Sequence, residues 1–358
     1  MNIKGNLKYV CTGSVIFLIA YMFVAALPMG SDIYFEPAWT RDISAPATAS
    51  PAEFAVSDRE AFILANHFGY FTGNGTILSS ATSDGLISAS PDLWAVYSRD
   101  ARNTIVRHPD GAPAMTIPGS GFVHLDEDRT FLMLPGGDGV SHFSADGALL
   151  WTREHTAPLT AFNSSPAGTI LGYADGLLVC VDPAGKELFS FYPGGSDLEV
   201  ILGASISEDG SLVACVSGQD RQRFVLISLS GGHHKVIHHE YLEGNLTRQA
   251  FVDFEKKGHF VFFESKNGLG IVDCRSKKSS RVPVSGEVVA IGDCPGDALF
   301  VVLSHSGSSW TLSAIERPDH LVASTNFTAQ EAFLVQRNEA IYLGMDSQIS
   351  RINIRGIE

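Results

Sequence analysis

The feature that most constrains the fold is a hairpin pattern that recurs between Phe143 and Phe189. Asp146-Gly147 separates two apolar runs, and Asp182-Pro183-Ala184-Gly185 separates the next two. Asp and Gly in this arrangement are typical of a tight β-hairpin, because Gly adopts positive φ and Asp bonds back onto its own turn. With a further turn at residues 165–168, the pattern predicts four short strands in about 40 residues, the period of a β-propeller blade rather than a sandwich.

One turn of this unit, that between its first and second strands, can be counted along the whole chain. The first copy lies at Asp58 and the eighth at Asn338, a mean spacing of 40 residues. The others lie near Asp92, Glu127, Pro166, Asp209, Lys257 and Pro295. Each turn precedes a short apolar run, as expected for a second strand that is buried on both faces. The sequence therefore predicts an all-β protein, an eight-bladed β-propeller of four-stranded antiparallel blades.

The last unit, residues 331–354, has room for only three strands. A spare strand exists at residues 33–43, where Ala38-Trp39-Thr40-Arg41 is similar to Leu150-Trp151-Thr152-Arg153. Pairing an N-terminal strand with C-terminal ones closes a propeller and removes its free sheet edges. We therefore expect one propeller domain, residues 31–358, closed by the pairing of 33–43 with 331–354.

Residues 10–30 carry no charge, and Lys4 and Lys8 precede them. About 20 apolar residues span a bilayer, and flanking lysines hold their end in the cytoplasm. The sequence predicts a cytoplasmic stub at 1–9, a single transmembrane helix or signal anchor at 10–30, and a periplasmic or otherwise extracytoplasmic propeller at the cell membrane. The alternative is a signal peptide cleaved after Val24-Ala25-Ala26. Both alternatives export the domain.

The formal charge of −14 and the pI of about 5.2 argue against a nucleic-acid-binding surface, which needs the opposite sign. We expect a monomeric propeller with no nucleic-acid partner.

The most conspicuous cluster of possible ligands is His233, His234, His238 and His239. On a helix, His234 and His238 would share a face and form a metal pair. The cluster nevertheless contains Val236-Ile237 and falls where the fourth strand of the fifth unit belongs. On a strand, positions four apart lie about 13 Å from each other. We therefore expect a solvated outer strand and no metal site.

Three other segments suggest chemistry, but each has a simpler structural interpretation. We expect a hairpin at Ser304-His305-Ser306-Gly307, and a turn between strands rather than a phosphate loop at residues 135–139. Asp126-Glu127-Asp128 offers too few oxygen ligands for calcium, so we expect a solvated turn. A Gly-x-Ser-x-Gly nucleophile motif does not occur in the chain. The sequence therefore identifies no catalytic residue, no metal ligand and no cofactor.

Cys180, Cys215, Cys274 and Cys294 lie in or beside apolar runs, and we expect buried free thiols. The alternative is a disulfide between Cys274 and Cys294, which belong to neighbouring units of an exported domain. A local basic patch, formed by Arg275, Lys277, Lys278 and Arg281, is either a solvated outer strand or a contact for an acidic partner or lipid headgroups.

The hairpin at Asp182–Phe189 resembles the pyrroloquinoline-quinone-type repeat, and Ala145–Trp151 is a shortened version of it. The Gly-His and Trp-Asp pairs of WD40 repeats are absent. The chain thus resembles the eight-bladed, quinoprotein-like propeller superfamily over residues 32–355. Its exported, membrane-tethered arrangement is similar to that of the propeller subunits of the bacterial outer-membrane barrel-assembly machinery. That resemblance implies a non-enzymatic scaffold.

The leading functional hypothesis is accordingly a non-catalytic, membrane-tethered scaffold that docks other proteins of the cell envelope. Two other classes remain open: a quinoprotein-like dehydrogenase or other enzyme with its site in the central funnel, and a small-ligand sensor. Convergent carboxylates and a histidine around the central axis would favour the enzyme.

Overall fold

The computed structural model describes residues 33–44, 47, 50–231, 233–293, 299–337 and 340–356. The stub at 1–9, the anchor predicted at 10–30 and Cys294 lie outside these residues, so those expectations stay predictions. Within the described ranges, no helix is both long enough and apolar enough to cross a membrane.

The described residues form eight antiparallel sheets, which are the blades of a propeller. Blade 1 contains β2 (Arg59–Leu64), β3 (His67–Thr72) and β4 (Ile77–Thr82), and blade 2 contains β5 (Leu86–Ala89), β6 (Trp94–Tyr97), β7 (Asn103–Arg107) and β8 (Pro113–Pro118). Blade 3 contains β9 (Phe122–Asp126), β10 (Arg129–Met133), β11 (Gly139–Phe143) and β12 (Leu149–Glu154). Blade 4 contains β13 (Leu159–Ser165), β14 (Gly168–Tyr173), β15 (Leu178–Val181) and β16 (Glu187–Phe191).

Blade 5 contains β17 (Ile201–Ile206), β18 (Leu212–Ser217), β19 (Arg223–Ser230) and β20 (His233–Tyr241), and blade 6 contains β21 (Val252–Phe254), β22 (Phe260–Ser265), β23 (Gly268–Asp273) and β24 (Ser279–Val282). Blade 7 contains β25 (Glu287–Asp293), β26 (Leu299–Ser306), β27 (Ser309–Glu316) and β28 (His320–Thr328). Blade 8 contains β29 (Ala332–Arg337), β30 (Ala340–Met345), β31 (Gln348–Gly356) and β1 (Ile33–Asp42). The predicted all-β, eight-bladed propeller is confirmed.

Each four-stranded blade runs from an inner strand beside the central channel to an outer strand at the rim. Strands alternate in direction, so successive turns lie on opposite faces of the ring. We call the side with the first–second and third–fourth turns the turn face. The opposite side, with the second–third turns and the links between blades, is the connection face. The second strands are deeply buried, and every residue of β14 is buried, as their apolar sequences predict.

The ring closes through β1, which pairs antiparallel with β31 from Ile33 opposite Gly356 to Asp42 opposite Gln348. A bulge interrupts the register between Pro37 and Trp39. The strand at the N-terminal end of the described chain thus completes blade 8, which is the pairing that the spare strand at 33–43 predicts.

Blade 1 departs from the predicted pattern because its sheet has three strands within the described residues. Where an inner strand is expected before Asp58, the chain instead forms two short 3-10 helices, Pro51–Glu53 and Val56–Asp58. Pro51 occupies the first turn of one of them, a position that suits a residue without a backbone N–H. Within the described residues, seven blades have the expected four strands and blade 1 has three, with β2 as its innermost described strand.

Neighbouring blades are held together by an aromatic side chain that covers a turn glycine. Trp151 of β12 lies over Gly185 in the next blade, and its Nε1 donates to the Pro183 carbonyl at 3.2 Å. Trp39 of β1 lies in the same way over Gly75, where an added Cβ would be 2.9 Å from Cδ2 of the indole ring. Both glycines also have positive φ, so each must be glycine for two reasons.

Removing β1 should open the ring. We expect a chain that begins at Ala47 to melt many degrees below one that begins at Ser31, and to associate through the exposed edge of β31. Melting curves and light scattering of the two chains test this. Two identical curves from two monomeric chains would contradict closure by β1. As a finer probe, Trp39→Ala should cost up to about 3 kcal/mol, whereas Tyr34→Ala, at an exposed position of the same strand, should cost little.

Candidate functional site

A cavity of about 620 Å³ opens on the turn face, among the inner strands of blades 3 to 8. Its charged lining is predominantly acidic, because its three cations, Arg129, Lys256 and Arg337, are outnumbered by carboxylates. The carboxylates are Glu127, Asp128, Glu208, Asp253, Glu255 and Asp293. This funnel is the candidate site, since ligand sites are concave and contain a few convergent polar groups.

Hydrogen bonds join the inner strands of blades 3 to 6 around the funnel. The Ser164 hydroxyl donates to the Asp126 carboxylate of the preceding blade. Asn163 Oδ1 accepts the Ile206 backbone N–H at 3.2 Å. Ser205 Oγ lies 3.3 Å from Asn163 Oδ1 and 3.2 Å from Asp253 Oδ1, so it donates to one of these acceptors at a time. We call this set of contacts, with the arginine contacts described next, the polar belt.

Arg317 continues the polar belt between blades 6 and 7. It projects from the turn between β27 and β28, and its Nη2 lies 3.2 Å from both Glu255 Oε1 and Asp293 Oδ1. Its guanidinium also lies 4.2 Å from the ring centre of Phe300. It lies 5.0 Å from the ring centre of Phe260 as well, so the cation is fixed by two carboxylates and two aromatic faces, an environment that suits the planar guanidinium.

Arg337 joins blade 8 to blades 1 and 3. Its Nε lies 2.8 Å from Glu60 Oε1, and its Nη1 lies 3.4 Å from Glu127 Oε2. Its Nη2 donates to the Val56 carbonyl at 2.9 Å. Because blade 1 has no inner strand in the described residues, this one side chain bridges the gap in the belt.

Burial shifts the pKa values of three groups in or beside the funnel. It raises the pKa of Asp253 to about 6, although the Phe254 N–H and the Ser205 hydroxyl both favour the ionised form. It raises the pKa of Glu60 to about 7, against the opposing effect of Arg337. It lowers the pKa of His124, which lies on inner strand β9 against Phe162. Carboxylates therefore do converge in the funnel, but most of them are already bonded within the belt, and His124 is not one of the residues that line the cavity.

The predicted histidine cluster lies on β20, the outer strand of blade 5, as its apolar neighbours indicate. His234 stacks on Phe189 of blade 4, with 5.1 Å between ring centres. His238 lies against Phe224 of its own blade. In the part of the chain that the structure describes, no three His, Cys, Asp or Glu side chains are placed to hold a metal ion together. The His234 imidazole therefore packs between blades 4 and 5, and the His238 imidazole packs within blade 5.

The other segments with possible chemistry adopt the predicted hairpins, with one correction. Ser304–Gly307 forms the β26–β27 hairpin, and the His305 ring stacks on Trp310. Residues 135–139 lead from β10 into β11. The turn at Asp126–Asp128 is not simply solvated, because Asp126 and Glu127 belong to the polar belt. The expectation of a solvated turn is correct for Glu127 and Asp128, which are exposed, and wrong for Asp126, whose carboxylate bonds to the next blade.

Cys180, Cys215 and Cys274 are free and buried. Burial raises the pKa of each thiol to about 12, so these thiols are unreactive. In the basic patch, Arg281 of β24 pairs with Glu240 at 3.1 Å and lies 4.6 Å from the Phe263 ring centre. Arg281 therefore joins blades 5 and 6, while Arg275, Lys277 and Lys278 lie in or beside the β23–β24 turn.

The central residues of the belt, Asn163, Asp253, Arg317 and Arg337, were not predicted from the sequence. A usable signal was nevertheless present. Several units place a polar residue directly before the first turn, at Asp126, Ser164, Asp293 and Gln336. Repetition of a polar side chain at this point of the unit indicates a ring of polar groups at the channel.

Residues 1–358 match a family model described as beta-propeller protein, and the chain belongs to that family. A relative in Treponema pallidum (strain Nichols), described as an uncharacterized protein, is 40% identical over 364 residues, covering 100% of this chain and 97% of the relative. BamB from Moraxella catarrhalis has the same fold, with a TM-score of 0.61 and 12% identity over 89% of this chain and 100% of that one. The computationally designed Ika8 protein is also similar, with a TM-score of 0.59 and 13% identity over 84% and 97%.

Replacing Asp253 by Asn should stabilise the protein at neutral pH. The folded-state pKa of about 6 lies above the ordinary carboxyl value of 3.8, so ionisation costs folding free energy as the pH rises through this interval. We expect a gain of up to about 2 kcal/mol at pH 7.5, and almost none at pH 3.5, where the carboxyl is mostly protonated in both states. Melting curves at the two pH values test this, with Asp128→Asn as an exposed control. A loss of stability at pH 7.5 would contradict the raised pKa.

Proposed function

We propose that this chain is a non-catalytic scaffold of the cell envelope, tethered to the membrane through residues 10–30, whose propeller docks other proteins outside the cytoplasm. The proposal requires no cofactor. The resemblance to scaffolding propeller subunits supports it, and so does the composition of the connection face.

The connection face carries large exposed apolar side chains. Leu86, Phe122 and Val289 lie at or near the starts of inner strands, around that end of the channel. Leu198 and Tyr192 lie in the link between blades 4 and 5, with 57% and 52% of their surfaces exposed. Exposed apolar side chains grouped on one face are typical of protein interaction sites.

Two exposed aromatic rings on this face are stacked with arginines. The Arg99 guanidinium lies 4.5 Å from the ring centre of Phe122, and that of Arg221 lies 4.9 Å from the ring centre of Tyr241. Aromatic residues and Arg are enriched in protein interfaces, and they contribute most to the hot spots of binding. Stacking restricts both partners before binding, which lowers the entropic cost of docking. These pairs are the observation that carries the proposal.

A second candidate is an enzyme with its site in the funnel. The raised pKa of Asp253 favours it, because perturbed carboxyl groups in a cleft are typical of active sites. Asp253→Asn separates the two functions: it would abolish proton transfer at the funnel, whereas docking on the opposite face would be unchanged.

If residues 10–30 tether the chain to the membrane, the propeller should lie outside the cytoplasm. A reporter enzyme that is active only outside the cytoplasm, fused after Glu358, should be active, because Lys4 and Lys8 hold the N-terminal end inside. Immunoblotting controls for the amount of fusion protein. A stable but inactive fusion would contradict the assignment.

Docking on the connection face can be tested by site-specific photo-crosslinking in cells. A photoreactive residue at position 122 or 192 should give discrete adducts of higher mass. Position 105 is the control, since Ile105 is exposed to a similar extent but lies in the middle of the third strand of blade 2. Phe122→Asp should remove the adduct formed at 192 while shifting stability by less than about 0.5 kcal/mol. Equal adducts at all three positions would contradict a specific docking face.

A further inference from the structure

The chain enters the propeller on the turn face. Strand β29 ends at the funnel with Arg337, so β30 runs towards the connection face and β31 runs back. Because β1 is antiparallel to β31 and pairs Ile33 with Gly356, Ile33 lies on the turn face. As β1 is the outermost strand of blade 8, this point is at the rim.

Only two residues separate Ile33 from the apolar segment at 10–30. Each residue spans at most about 3.5 Å, so the end of that segment lies within about 10 Å of the turn face. A tether this short does not let the propeller turn freely against the membrane. Tyr34, which is 47% exposed beside the tether, is of the type enriched at membrane interfaces.

The same face carries exposed leucines on the other side of the ring. Leu149 and Leu150 begin outer strand β12 of blade 3, and Leu188 is the second residue of outer strand β16 of blade 4. All three are exposed. The two strands are neighbours at the rim, because Arg153 of β12 forms an ion pair with Glu187 of β16.

Blade 4 lies halfway round an eight-membered ring from blade 8. The tether and the leucines are therefore at opposite edges of one face, and only a propeller that lies flat on the bilayer brings both edges to it. We propose that the turn face lies against the membrane, with Leu149, Leu150 and Leu188 inserted at its interface. The inference rests on the proposed tether. It places the funnel mouth towards the lipid and leaves the connection face free for protein partners.

An environment-sensitive fluorophore tests this orientation. The full chain, with Cys11 and Cys294 replaced by Ser, is reconstituted into phosphatidylcholine–phosphatidylglycerol vesicles and labelled with a nitrobenzoxadiazole dye at Leu150→Cys or Leu188→Cys. The remaining cysteines are buried and should not react. Leu198→Cys, which lies on the opposite face and is more exposed than Leu150 and Leu188, is the control. We expect a blue shift and quenching by doxyl-labelled lipid at 150 and 188, and neither at 198.

Sedimentation with the vesicles distinguishes a failure of the proposed tether from a failure of the proposed flat orientation. A chain that stays in the supernatant overturns the tether, and with it the proposed function. A chain that sediments but shows no quenching at 150 and 188, or equal quenching at 198, overturns the flat orientation alone. Changing Leu149 and Leu150 together to Asp should weaken the quenching at 188. Unchanged quenching there would mean that these leucines do not insert.

Discussion

The pairing of β1 with β31 is the contact on which the rest of the structure depends. A propeller blade buries its faces only between two neighbours, so an open ring would expose both a blade face and a strand edge. Pairing over nearly the whole length of β1, from Ile33 to Asp42, joins the two ends of the described chain within one sheet. Trp39 extends this closure to blade 1 by covering Gly75, so one strand fixes the position of two blades.

The polar belt is the second constraint, because it sets the geometry of the funnel. Apolar contacts between blades are tolerant of small rotations, whereas hydrogen bonds such as Ile206 N–H to Asn163 Oδ1 are directional. The belt also carries a cost, visible in the raised pKa values of Asp253 and Glu60. Arg337 of blade 8 contacts carboxylates of blades 1 and 3 at the point where the described part of blade 1 has no inner strand. The funnel thus combines a rigid outline with carboxyl groups that ionise close to neutral pH.

Much of the fold could be predicted from sequence because its determinants are local. Asp182 and Gly185 specify their turn within four residues, and the repetition of such turns gives the number of blades. Even the long-range closure was predictable, since Trp39 and Trp151 share their neighbours in sequence. The replacement of an inner strand by short 3-10 helices in the described part of blade 1 was not predictable, and neither were the contacts of Arg337, which join residues far apart in the chain, such as Glu60 and Glu127. A single unit does not contain that information, so the candidate site could not be derived from the repeat.

The strand that closes the ring is also the strand next to the proposed anchor, so the tether and the fold share one element. β1 runs from the turn face to the connection face, although the twist between neighbouring strands inclines an outer strand to the central axis. A force through the tether is applied at Ile33, and the hydrogen bonds between β1 and β31 carry it into blade 8. Those bonds therefore serve twice, because they close the ring and also connect the propeller to its proposed anchor.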